Sequence, residues 1–257
     1  MHIGLFDSGV GGLTVLKELV AAFPKSQFTY LGDTARLPYG NKAPETLKKY
    51  SQENMEFLAN QKVDVIVIAC HSASSVCLDI SHFHQTIPVF NVIAPSCQEA
   101  LKKSKSKKIA VLATKATIKS QVYPNYIKQL DDEAQVIGQE CPLLVPLVEE
   151  GLIEDEITEM VLKRYLKEPL AAKVDTILLG CTHYPILQTE IAKLTPGIEL
   201  INPAETVVAQ LKEREKPHPL TGKVNIYLTD HSPHFINHAH SLLGSEFQYS
   251  INYFQPS

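Results

Sequence analysis

Short apolar runs and amphipathic stretches take turns along this chain. Ile3 to Phe6 is the first run, closed by Asp7-Ser8-Gly9-Val10-Gly11-Gly12, and Leu13, Leu16, Val20 and Phe23 then fall at helical spacing until Pro24. Phe28 to Leu31 reads as the next strand, leading into a loop from Gly32 to Asn41 that carries Pro38-Tyr39-Gly40. A helix is predicted from about Pro44, with Leu47, Tyr50, Phe57 and Leu58 inward. Val65 to Ala69 is a third run, followed by a helix to about Gln85 and a strand around Val89 to Val92. Beyond Lys102 to Lys108, read as a solvated helix end and loop, the rhythm restarts. It gives a strand at Ile109 to Ala113, a helix through Tyr126 and Leu130, and a strand near Val136. A loop from Pro142 to Gly151 and a long helix from about Glu154 to Glu168 come next. Ile177 to Leu179 is a further buried strand, followed by a helix to Leu194, a short strand near Leu200 and a helix through Val207 and Leu211. Glu215 to Gly222, with Pro217 and Pro219, reads as a linker. The tail holds a strand at Val224 to Leu228, a helix, and the alternation Phe247, Tyr249, Ile251, Tyr253 of a half-buried edge strand. Strand alternating with helix is the mark of βαβ units, so the fold class is α/β with mainly parallel sheets.

Two of these runs end alike. Val65 to Ala69 delivers Cys70, then His71, Ser72 and Ser74; Ile177 to Leu179 delivers Gly180, Cys181, Thr182 and His183. In open α/β sheets the crevice beyond the strand ends is where ligands bind. Two strand-end thiols about 110 residues apart therefore suggest two similar halves, each offering one sulfur to a shared substrate. Free cysteine is commonly a small buried hydrophobe, and Cys77, Cys97 and Cys141 are assigned to packing. Cys70 and Cys181 differ in standing at helix starts, where N–H groups lower a thiol's pKa and hold carboxylates. Adjacent Cys70-His71 and Cys181-x-His183 lack the usual zinc-ligand spacing, so no metal is expected. Nor does Asp7-Ser8-Gly9 with Gly11-Gly12 match a dinucleotide or nucleotide loop; glycines there let backbone N–H groups approach a small anion, and Asp7 is the stronger site candidate. His231, His234, His238 and His240 in the tail lack the H-E-x-x-H pattern and read as a solvated helix.

Composition narrows the function classes. The chain has 257 residues, 44% hydrophobic and 20% charged, enough for one large or two small cores. A net charge of −4 argues against nucleic acid as a partner, and no apolar stretch approaches a membrane span. Five cysteines without a CxxC pair argue against a disulfide framework or a thiol-redox motif. The first residues, Met-His-Ile-Gly-Leu-Phe-Asp, lack a signal-peptide pattern, and a cytoplasmic protein with reduced thiols is expected.

The motifs then become specific. Gly4-Leu5-Phe6-Asp7-Ser8-Gly9-Val10-Gly11-Gly12, Gly32-Asp33 with Pro38-Tyr39-Gly40, Ala113-Thr114 with Thr117, Pro146-Leu147-Val148-Glu149 and Gly180-Cys181-Thr182-His183-Tyr184-Pro185 span nearly the whole chain. On these residues it resembles the glutamate racemases of the cofactor-independent aspartate/glutamate racemase family. The resemblance implies two similar α/β domains with the active site in the cleft between them. It implies residues 1–94 plus 206–257 as one domain and 95–205 as the other. It further implies interconversion of L- and D-glutamate by two cysteines without cofactor, supplying peptidoglycan synthesis and so cell-wall biogenesis and cell shape. Cys70 and Cys181 would exchange protons, assisted by Asp7 on one side and by Glu149 with His183 on the other. Asp7, Ser8, Pro38, Tyr39, Gly40, His71, Ser72, Thr114, Thr117, Thr182 and His183 would hold the substrate. The implied partner is a small molecule, glutamate; a homodimer is compatible with the resemblance.

Two positions depart from the family. It usually follows its first cysteine with Asn-Thr, where this chain has His71-Ser72, and usually has glycine in place of Ala116. An imidazole with an unperturbed pKa near about 6.5 is expected to titrate in the working range and to add an ionisation to the acid limb of activity. Rival readings are a racemase of the same family acting on aspartate or another amino acid, and a non-catalytic α/β module that binds a small anion.

Overall fold

The computed structural model describes residues 1–77, 87–213, 222–243 and 249–255. Its strands are β1 (His2–Asp7), β2 (Gln27–Gly32), β3 (Val65–Ile68), β4 (Val89–Asn91), β5 (Lys108–Ala113), β6 (Gln135–Glu140), β7 (Thr176–Gly180), β8 (Glu199–Ile201), β9 (Lys223–Leu228) and β10 (Tyr249–Tyr253). The helices are α1 (Leu13–Ala22), α2 (Pro44–Asn60), α3 (His71–Ser74), α4 (Ile93–Lys103), α5 (Lys115–Lys119), α6 (Val122–Leu130), α7 (Leu144–Glu149), α8 (Glu156–Ala171), α9 (Gln188–Leu194), α10 (Pro203–Lys212) and α11 (Pro233–Leu243).

The strands form two sheets, ordered β10-β9-β2-β1-β3-β4 and β6-β5-β7-β8. Every strand pair in both is parallel. The order β2-β1-β3-β4 recurs as β6-β5-β7-β8 with each number raised by four, so the two halves repeat one topology. Within the repeat, β3 and β7 hold the same interior place, and these are the strands that end at the two cysteines. Their apolar runs do not alternate because both faces are covered. Val65 and Val67 pack into one core with Leu13 and Leu16 of α1, whereas Ile66 and Ile68 pack into another with Leu47 and Leu58 of α2. In the second half Ile177 and Leu179 face Leu162 and Leu166 of α8, while Leu178 faces Val122 and Ile127 of α6.

Most of the predicted elements are present, with instructive differences. The stretch expected as a loop from Pro142 to Gly151 contains α7. Its two prolines concealed it, yet Pro146 sits in the first turn, where a missing N–H costs nothing because those donors have no intrahelical partner. The helix after Cys70 is a single turn, α3, followed by a turn at Ser75 and Val76; its expected continuation to Gln85 falls outside the described residues from 78 onward. The helix after Ala113 is two, α5 and α6, separated at Gln121, whose φ of 57° lies in the left-handed region. A one-turn 3-10 helix, Tyr184–Leu187, precedes α9. Most of the expected linker (residues 214–221) and Phe247 also fall outside the described residues. The expected domain crossing at 205/206 lies inside α10, whose Ala204, Val207 and Leu211 belong to the core beneath β1.

Candidate active site

Beyond Ile68 the chain leaves the sheet, and Cys70 becomes the N-cap of α3, 5% exposed. Its Sγ donates to Ser8 Oγ at 4.0 Å. Burial pushes the Cys70 thiol up, and the Asp7 carboxylate and Cys181 add to that; the N–H groups of Ala73 and Ser8 oppose it. The expectation that helix-start N–H groups would lower this pKa is therefore overturned, because desolvation outweighs them.

Asp7 ends β1 and is fully buried. Gly9 and Gly12 each donate a backbone N–H to its Oδ2 at 3.0 Å, and Thr182 donates Oγ1–H to Oδ1 at 3.3 Å. The anion that the glycine-rich turn receives is thus the chain's own carboxylate. Gly12 is required by that approach: a Cβ there would lie 2.4 Å from Asp7 Cβ. Burial raises the Asp7 pKa, with His183 and the three donors acting against it.

On the other side, Cys181 follows Gly180 at the end of β7 and is 6% exposed. His183 Nδ1 lies 3.8 Å from Cys181 Sγ, and its Nε2 lies 3.2 Å from Glu149 Oε1. A carboxylate only accepts, so Nε2 carries a proton. Burial alone would lower the His183 pKa, but Cys181, Glu149 and Asp7 together outweigh it and bring the imidazole up to about 10. The ring is thus held towards its protonated form, with a sulfur on one side and a carboxylate on the other. The two halves meet closely here: Thr14 Oγ1 donates to Thr182 O at 2.9 Å, and a Cβ on Gly11 would lie 2.4 Å from Thr182 Oγ1 and 2.5 Å from His183 Nδ1.

Both thiols line one cavity of about 150 Å³. A volume of roughly that size accommodates a benzene-sized molecule but not a dinucleotide. Of the candidates drawn from the sequence, Ser8, Pro38, Tyr39, Gly40, His71, Ser72, Thr114, Thr182 and His183 line it with them. Three expected residues do not. Asp7 stands behind Thr182, Glu149 behind His183, and Thr117 behind Thr114, whose Oγ1 is 3.1 Å from its own. Tyr39 lines the cavity while its hydroxyl donates to Asp33. Asn54 and Arg36 join that buried network: Asn54 Nδ2 reaches the Tyr39 hydroxyl at 3.2 Å, and Arg36 Nε reaches Asp33 Oδ2 at 2.7 Å. The cavity also has Asn41, Lys115, Cys141, Pro142, Val145 and Pro146 in its wall. The sequence pattern does not single these out as site residues: Pro142 to Gly151 reads there as a loop, and Cys141 as packing alone.

His71 behaves unlike the expectation. It is 2% exposed, neither ring nitrogen has a hydrogen-bond partner among the described residues, and the ring stacks on Tyr123 at 6.5 Å. Burial with nothing to oppose it drives its pKa to about 3. With that value the ring does not titrate in the working range, against the expectation. Of the tail histidines, His231 and His240 are exposed, His231 stacking on Tyr253 and His240 Nδ1 lying 2.9 Å from the Tyr249 hydroxyl, whereas His238 is half-buried with its Nε2 3.1 Å from Glu149 O. The side chain of His234 is not among those described.

A repeated parallel α/β half, with one buried thiol from each half in a shared small cavity, defines a class of cleft enzyme, and comparison with known proteins names it. The family model described as Asp/Glu/Hydantoin racemase matches residues 3–211, and the chain belongs to that family, an isomerase among isomerases. A glutamate racemase of Sulfurihydrogenibium sp. (strain YO3AOP1) is 46% identical over 245 residues, covering 95% of this chain and 94% of its own. The solved glutamate racemase of Aquifex pyrophilus is 43% identical, with 98% of both chains covered and a TM-score of 0.84. That of Francisella tularensis subsp. tularensis SCHU S4, in complex with D-glutamate, is 32% identical, with 99% of this chain and 97% of the other covered and a TM-score of 0.90. Among the described residues no helix is long and apolar enough to cross a membrane.

Proposed function

We propose that this protein interconverts L- and D-glutamate by a two-base mechanism in which Cys70 and Cys181 act from opposite faces of the substrate, with no cofactor. The observation that carries the reading is that two strand-end thiols, one from each half, line the same small cavity. In one direction a Cys70 thiolate takes the α-proton, the C–H electron pair passes into the adjoining carboxylate as an enediolate, and the Cys181 thiol returns a proton to the opposite face. The reverse direction exchanges the roles. Burial and the Asp7 carboxylate disfavour a thiolate at Cys70, and the substrate's ammonium offsets that local negative charge so that the base can form. On the Cys181 side the His183 imidazolium, backed by Glu149, stabilises a thiolate and supplies its proton. Asp7 is the corresponding carboxylate near Cys70. Ser8, Ser72, Thr114, Thr182 and the backbone at Tyr39 and Gly40 offer the donors for the substrate carboxylates, and these must also stabilise the enediolate.

The same reading takes residues 1–94 with the tail as one domain and the middle of the chain as the other, with the second crossing at Asn202, the N-cap of α10. It assigns the product to peptidoglycan synthesis in the cytoplasm. The test is a chiral assay of the purified chain with L-glutamate, L-aspartate and other L-amino acids in solvent D2O and without added cofactor. D-glutamate carrying deuterium at the α-carbon is expected. Faster turnover of aspartate would reassign the substrate, and no exchange with any amino acid would leave only a binding module.

A further inference from the structure

We propose that His238, on the C-terminal helix of the first half, is a positioning residue for the second half: its ring N–H holds the end of α7 and so keeps the Glu149 carboxylate against His183. This rests on the proposed two-thiol reading of the cavity. Helix α11 is anchored in the first core through Phe235, Ala239 and Leu243. His238 lies on the flank of that buried face, half-buried, and from there reaches across to the other half. Its Nε2 is 3.1 Å from the carbonyl oxygen of Glu149, a residue 89 positions away in sequence. A carbonyl can only accept, so Nε2 is the donor whatever the charge of the ring.

The bond falls where it has the most leverage. Glu149 is the last residue of α7, a helix of only six residues, and the final carbonyls of a helix have no N–H of their own helix to meet. The donor from α11 fixes the backbone of the residue whose Oε1 lies 3.2 Å from His183 Nε2. His183 Nδ1 in turn lies 3.8 Å from Cys181 Sγ. The titratable groups that face His183 are Cys181 from the end of β7, Glu149 from α7 and Asp7 from the end of β1. Of these, the one carboxylate hydrogen-bonded to the ring is the one His238 secures. The arrangement ties the relay to the closed pairing of the halves, because its anchor and its working end belong to different cores.

The test uses full-length protein with 15N-labelled histidine. His183 is titrated by NMR, and kcat and KM for L-glutamate are measured, in wild type, His238→Ala and His238→Gln. In His238→Ala, kcat is expected to fall about tenfold with KM changed less than about twofold, and the His183 titration to move down by about one unit or more. His238→Gln supplies an amide N–H at similar reach and should restore both. Should His238→Ala not fold, His238→Leu, an apolar helix former without a donor, takes its place. An unmoved His183 titration in the donor-free variant, or donor-free and Gln variants that behave alike, would overturn the proposal. The titration needs no turnover, so it decides this inference even if the wild type fails to racemise glutamate and the functional reading falls.

Discussion

Each strand-end thiol has a histidine beside it, and both histidines are buried, yet they end at opposite extremes. His183 meets a sulfur on one nitrogen and a carboxylate on the other, which bring its pKa up to about 10; His71 meets no hydrogen-bond partner among the described residues on either nitrogen, and burial takes its pKa down to about 3. Burial acts in the same direction on both. What separates them is the thiol of Cys181 and the carboxylates of Glu149 and Asp7 around His183, a set that the repeated topology gives to only one of the two rings. The lesson is that two halves of equal fold need not carry equal chemistry: the Cys181 side holds a charged relay, whereas the Cys70 side holds a neutral ring and a carboxylate tied down by backbone N–H groups.

The comparison breaks most severely if either sulfur is dispensable. Cys70→Ser and Cys181→Ser should each lower kcat for glutamate by more than about 1000-fold, about 4 kcal/mol of transition-state stabilisation, because a hydroxyl is too weak an acid to trade protons at neutral pH. Residual activity above about 10% in either variant would remove that thiol from the mechanism.

Next in size is the contact that brings the halves together. Gly11→Ala inserts a Cβ 2.4 Å from Thr182 Oγ1 and 2.5 Å from His183 Nδ1. A displacement near 1 Å at a reacting group can cost about 100-fold, and that loss in kcat/KM is expected here. Gly138→Ala, where the new Cβ meets Ile118 at an ordinary 3.4 Å, is the control. If both variants retain wild-type kinetics, the close approach at Gly11 has no catalytic role.

Glu149→Gln tests the relay directly and should lower kcat by about 10- to 100-fold. It also has a signature in stability. The folded protein holds a proton on His183 up to about 10, whereas the unfolded chain releases it near about 6.5. The folded state therefore binds more protons between these values, and this contribution is full below about pH 6.5 and lost as pH rises towards about 10. Melting temperatures across that window should fall less steeply in Glu149→Gln than in wild type. Equal slopes would contradict the assignment of the raised pKa to this pair.

The smallest effect is expected at His71. His71→Asn should keep kcat within about tenfold and leave the acid limb of the pH profile unmoved. For stability the sign is opposite to that of His183. The unfolded chain takes up a proton near about 6.5 while the buried ring does so only at about 3, so stability present above about pH 6.5 is lost as pH falls through that window. His71→Asn should therefore lose less melting temperature between pH 7 and about pH 4.5 than wild type does. A shifted acid limb would mean that a bound substrate recharges this ring.

Local pattern alone made several of these features legible. Val65 to Ala69 and Ile177 to Leu179 are apolar throughout, as in a strand covered on both faces, and a strand followed by a cysteine marks the carboxyl end of the sheet, where ligands gather. The alternation of such runs with helical spacing was enough for parallel α/β sheets, and the two like-ended strands for two similar halves. What pattern could not reveal depends on neighbours distant in sequence. Helix α7 was hidden by Pro142 and Pro146, because a proline breaks a helix or sits harmlessly in its first turn according to where the helix begins. His71 and His183 are the same residue type beside the same kind of thiol, and the contacts of His183 with Cys181 and Glu149, with Asp7 nearby, separate their charge states. Gly11 and Gly12 read as an anion loop, but their lack of a side chain is required by Thr182, His183 and Asp7 pressed against them. The chain itself determined where strands end and which side chains stand there, since those follow from periods of a few residues. The tertiary structure decided which groups touch, and with them the protonation states, because desolvation and pairing are properties of surroundings that no local stretch contains.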